Sequence, residues 1–131
     1  MEESTKELPL LTFNSLYNVL RIEEQKKSLQ KLPDAFYEAL EKFISDKQHE
    51  IGNLRKNTGS KEQLRKETHI LQNSKRITLE LLNLRCVKIA NIAVKNKLFG
   101  EETLSGKNIL DKETHLYNDI QKSVKKISQG I

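Results

Sequence analysis

SKEQLRKETHILQNSKRITLELLNLRCVKIANIAVKNKLFG, residues 60–100, decides how the rest of the chain is read. It holds no proline, and no glycine before its last residue. Leu64, Leu71, Thr78, Leu81, Leu82, Arg85, Ile89, Ile92 and Val94 recur mostly at spacings of three, four and seven, with Thr78 and Arg85 as the two polar interruptions. That period is helical. One unbroken helix of this length spans about 60 Å, longer than one small core covers. Part of it is therefore expected to bury against its own chain, and part to meet another chain or water.

The flanks carry the same signature. Thr12 is placed to cap a helix whose stripe is Phe13, Leu16, Tyr17 and Leu20, fading in the charged run Glu23–Lys27. Leu29 and Leu32 are expected to anchor a connecting turn. Pro33 forces the preceding residue out of helical angles, and Asp34 can cap the helix that follows, with Phe36, Tyr37, Leu40, Phe43 and Ile44 on one face. Ser60 with Gln63 resembles a capping box, and Gly100 suits the left-handed position after a helix. A final helix capped by Asp111 carries Leu116, Ile120, Val124 and Ile127 and stops at Gly130. The sequence thus predicts an all-α fold: a helical bundle of about four to five helices with one long helix, in a single domain over residues 1–131.

Glycine and proline are scarce, with 5 and 2 in 131 residues, which disfavours a β sandwich or barrel. There is no tryptophan and few aromatics to stack nucleobases. The net charge is +5, but residues 1–50 carry ten acidic and seven basic side chains, whereas 61–97 carry nine basic and three acidic. Such a segment can meet phosphates, an acidic partner or water. The single cysteine, Cys86, sits among apolar helix residues and is expected to be a small buried hydrophobe in a reducing compartment. No membrane span and no signal peptide are read from the chain, so a cytoplasmic location is expected.

Catalytic constellations are not found. Thr58-Gly59-Ser60-Lys61 looks like the end of a phosphate-binding loop but lacks its first glycine and preceding strand. His49, His69 and His115 match no zinc spacing. No base is aimed at a serine or cysteine, and no carboxylate pair is read on an apolar face. The expectation is a non-enzyme with no catalytic, cofactor or metal residues and no cofactor. Lys61, Arg65, Lys75 and Arg76 are the candidate contacts to DNA or an acidic partner. Arg85 falls in register with Leu81, Leu82, Ile89 and Ile92. It either takes a carboxylate or helix carbonyls as partner, or packs its stem and reaches solvent with its head.

Four pieces in order carry a family resemblance. They are Leu11-Thr12-Phe13-Asn14-Ser15-Leu16-Tyr17-Asn18-Val19-Leu20-Arg21, Leu29 through Pro33-Asp34-Ala35-Phe36-Tyr37, Asn73 through Ala93 with its Arg85-x-x-Lys88-Ile89 pattern, and Lys112-Glu113 through Leu116-Tyr117. Over roughly residues 10–128 the chain resembles the helical A domain of archaeal GINS subunits, in the branch that puts this domain first. The resemblance implies a non-catalytic DNA-replication factor, associated with the nucleoid. It implies a homo- or hetero-tetramer with other GINS subunits, bound to the MCM helicase and a Cdc45/RecJ-type protein at the replisome. Members of that branch carry a β-rich B domain after the helical one, and the sequence stops at Ile131 without it. Leu16, Leu20, Leu81, Arg85, Ile89 and Ile92 are the expected subunit interface. The alternative is a helical DNA-binding module using residues 61–97.

Overall fold

The computed structural model describes residues 8–57, 60–100 and 108–131. They are all-α, with four helices: α1 (Phe13–Gln25), α2 (Phe36–Lys56), α3 (Lys61–Phe99) and α4 (Asp111–Ser128). Of the expected readings, the Thr58-Gly59 pair lies outside the described residues.

The helix ends follow local chemistry. At α1 the Thr12 and Ser15 side chains exchange bonds with each other's backbone N–H, at 2.8 and 3.1 Å, so the predicted cap closes reciprocally. At α3 the Gln63 N–H donates to Ser60 Oγ at 3.2 Å. Gly100 at φ 66° and Gly130 at φ 90° adopt left-handed angles that a Cβ disfavours, and α3 and α4 end beside them. Two caps differ from expectation. Asp34 caps nothing, because α2 begins later, with Ala35 at its N-cap position and no side-chain bond there. Asp111 is the first residue of α4 rather than its cap; Glu113 does the work, accepting the Leu110 N–H at 2.9 Å.

The chain divides into two compact units that interleave along it. The first takes in the chain up to Leu20 and Ala35–Glu80; the second takes Arg21–Asp34 and Leu81–Ile131. The first buries Leu16, Leu20, Phe36, Ala39, Leu40, Phe43, Ile51 and Ile77, a conventional apolar core. Its α2 and α3 segments are also joined by a Lys47–Glu67 ion pair at 2.8 Å. The second buries Leu29, Leu32, Leu81, Ile89, Ala93 and Leu110, together with Glu23, Gln30, Arg85 and Glu113. The connecting segment thus anchors through Leu29 and Leu32 as the sequence predicts. α4 contributes no fully buried apolar residue; its stripe is half-buried, and Ile127 is exposed.

Candidate functional site

The most concentrated polar chemistry in the chain lies inside the second unit, around Arg85. The inward face of α3 runs Ser74, Ile77, Leu81, Arg85, Ile89, Ala93, a near-constant four-residue step. Arg85 therefore occupies a core position, and its side chain is 0% exposed. Neither partner of the guanidinium is close in sequence. Glu23, also 0% exposed, comes from the last turns of α1, and Glu113, 7% exposed, from the first turn of α4.

All five guanidinium N–H groups are used. Nε and one Nη donate to the two oxygens of Glu113 at 2.7 and 2.9 Å, the planar fork that arginine alone supplies. The other Nη donates to Glu23 Oε1 at 2.8 Å and to the Gln30 carbonyl at 2.9 Å. The fifth bond goes to the Asn108 carbonyl at 2.9 Å. Glu23 is saturated in turn, accepting from the Gln30 amide and backbone at 3.1 and 3.2 Å and from Lys88 Nζ at 2.7 Å. Lys88 also donates to the Glu23 and Ser28 carbonyls at 2.6 and 3.0 Å, and the Asn108 amide donates to the Leu29 carbonyl at 3.1 Å.

Among the described residues the ion pairs join two cations, Arg85 and Lys88, to two carboxylates, Glu23 and Glu113. Burial alone raises the Glu23 carboxyl, but the bonds from Lys88, Arg85 and Gln30 outweigh it and hold the pKa below its usual 4.5. Burial likewise works against the guanidinium charge, and the bonds to Glu113 and Glu23 more than compensate, raising its already high pKa. With every donor of Arg85 and Lys88 committed inside the chain, the cluster clasps α1, the segment after it, α3 and α4. A buried charge whose bonds are all made is costly to break and specifies one arrangement.

The predicted interface residues are placed otherwise than expected. Leu16, Leu20, Leu81, Arg85 and Ile89 are buried in the chain's own interior, and only Ile92 keeps part of its surface. The reason is register: these residues make the innermost line of their helices, which the chain's own core claims first. Lys61, Arg65, Lys75 and Arg76 are all exposed, and Arg76 pairs with Glu80 at 2.8 Å. Cys86 is exposed, against expectation, because a residue next to an inward-facing arginine is turned about 100° away from the core. The three histidines are exposed. Among the described residues no group of three His, Cys, Asp or Glu is placed to hold a metal, and no helix is long and apolar enough to cross a membrane.

Sequence reasoning isolated Arg85 but missed Glu23, Lys88, Gln30, Asn108 and Glu113. A signal existed for the two carboxylates: Glu23 continues the Leu16–Leu20 stripe, and Glu113 begins the Leu116–Ile120 stripe. The chain matches no family model and no curated protein.

Proposed function

We propose that the chain is a non-catalytic helical subunit of a GINS-type replication assembly, scaffolding the MCM helicase and a Cdc45/RecJ-type partner through protein–protein contacts. The observation that supports this reading is a second apolar ridge on α3, turned away from Arg85. Leu84, Val87, Val94 and Leu98 recur at spacings of three, seven and four, with the exposed Asn91 filling the gap. Val87 is 52% and Leu98 50% exposed, while Leu84 and Val94 are half-buried. A repeat near 3.5 residues is the seam two helices share, and a polar asparagine within it fixes register. The ridge extends about 21 Å along the helix, and its occupant is a helix of a like subunit. It replaces the inner line of Leu16, Leu20, Leu81 and Ile89 as the docking surface.

Sedimentation equilibrium tests this. The chain should show mass above monomer at high micromolar concentration, and Val87→Glu with Leu98→Glu should return it to monomer with an unchanged circular dichroism spectrum. Purified MCM helicase should co-elute with the protein. A strict monomer, or an oligomer indifferent to the two introduced charges, overturns the reading.

A second reading, direct DNA binding, has one observation in its favour. Lys61, Arg65, Lys75 and Arg76 lie within an arc of about 100° on α3, and all four are exposed. Binding through them requires a log–log salt slope approaching one unit per phosphate contacted. A flat titration removes it.

A further inference from the structure

Beside the clasp the second unit contains a cleft of about 230 Å³. Lys88, Ile92 and Lys95 line it from α3, Lys27 and Leu29 from the segment after α1, and Asn108 from just before α4. Its floor is apolar, through Ile92 and the buried Leu29, and its rim is cationic. No acidic or aromatic residue lines it among the described residues. Lys88 is neutralised by Glu23 and serves as wall rather than as charge. Lys27 and Lys95 have no ion-pair partner among the described residues, and both are exposed.

The walls are also fixed. Lys88 holds the Ser28 carbonyl at 3.0 Å, and Asn108 holds the Leu29 carbonyl at 3.1 Å. The clasp therefore sets the spacing between α3 and the segment after α1, and a preformed site binds without first being ordered. We propose that this cleft is a docking site for an acidic peptide segment of a partner protein, one aliphatic side chain entering between Ile92 and Leu29 and flanking carboxylates meeting Lys27 and Lys95. The volume suits a single branched side chain, whose burial supplies the anchor, while the lysines supply orientation and on-rate. A nucleic acid fits less well. Its backbone has no aliphatic group for the floor, and neither an arginine fork nor a stacking ring is present. The cleft and the ridge meet at Asn91, but the inference does not rest on the subunit reading, because different substitutions test the two.

Fluorescence anisotropy tests it, using a labelled nonapeptide of aspartate and glutamate with one central leucine. The controls are the same peptide with alanine at its centre and a single-stranded oligonucleotide of equal charge. The leucine peptide should bind at least about fivefold more tightly than the alanine peptide, the loss expected for most of one aliphatic anchor. Lys27→Glu with Lys95→Glu should weaken it about tenfold or more, and Ile92→Ala about fivefold. The milder Lys27→Gln with Lys95→Gln guards against a folding defect, and Val87→Glu with Leu98→Glu should leave peptide binding unchanged. Equal affinity for the leucine peptide, the alanine peptide and the oligonucleotide, or binding indifferent to Lys27 and Lys95, overturns the proposal. So does an oligonucleotide that binds more tightly than the peptide and loses affinity at the same lysines.

Discussion

Replacing Arg85 by methionine removes five hydrogen-bond donors from the centre of the second unit while leaving two buried carboxylates behind. Three of the five bonds run to carboxylate oxygens and two to carbonyls. The consequences for the two acids differ. Glu23 keeps Lys88 and Gln30 and remains an ion with partners. Glu113 loses its bidentate partner and keeps the Leu110 N–H at the α4 entrance. Breaking a buried pair from one side typically costs about 3–5 kcal/mol, because the abandoned charge stays desolvated. Near this chain length that corresponds to a fall in Tm of about 10–20 °C.

Urea melts of Arg85→Met, Arg85→Lys and the double variant Arg85→Met, Glu113→Gln separate the terms. The lysine variant should lie between wild type and methionine: it keeps the charge but cannot fork to Glu113 while reaching Glu23. The double variant should recover about 2 kcal/mol or more relative to Arg85→Met, since it neutralises the abandoned Glu113, whose amide can still accept from Leu110, and leaves the Glu23–Lys88 pair intact. Hydrogen exchange supplies a spatial check. Protection should fall in 21–34, 81–100 and 108–131 and hold in α2, whose residues belong to the first unit. A cost for Arg85→Met below about 1 kcal/mol refutes the reasoning, as does a double variant less stable than the single, because either means the Arg85 and Glu113 charges were never desolvated and paired.

Three further outcomes follow from individual residues. Because the Glu23 carboxyl is depressed below 4.5 in the folded chain, its stabilisation is complete above that value and is lost as pH falls through the folded pKa; melts from pH 6 to 3 should decline, less steeply in Glu23→Gln. Gly100→Ala forces a Cβ into φ 66° and should cost about 1 kcal/mol in a urea melt. Cys86, exposed on the outer side of α3, should react with a thiol reagent in the native protein within about tenfold of the denatured rate.

The helices were legible because their signals are local. A 3.6 period, a threonine or serine at the right offset and a glycine after the last turn act within one or two turns, and α1, α3 and the end of α4 lie where those signals put them. The two displaced caps show how far such signals reach. Asp34 and Asp111 are both good cap residues, yet Asp34 caps nothing, and at α4 Glu113 answers the Leu110 N–H while also forking to Arg85. One side chain closes the helix and the clasp together, a demand made by a residue 28 positions away. The site was half legible for the same reason. Arg85 stood out as a polar residue in an apolar stripe, and the choice between solvent and carboxylate turned on what faced it across the fold. Reading every stripe for acids in register finds Glu23 and Glu113, and an arginine that must be buried then has two candidate partners. What no stripe encodes is the pair of backbone carbonyls that Gln30 and Asn108 offer to Arg85. A carbonyl is common to every residue, so its use leaves no trace in side-chain identity. The expected interface residues lie inside the chain for a related reason: the most regular apolar line on a helix is the one its own chain buries, and what it leaves nearer the surface is the weaker, interrupted line of Leu84, Val87, Val94 and Leu98.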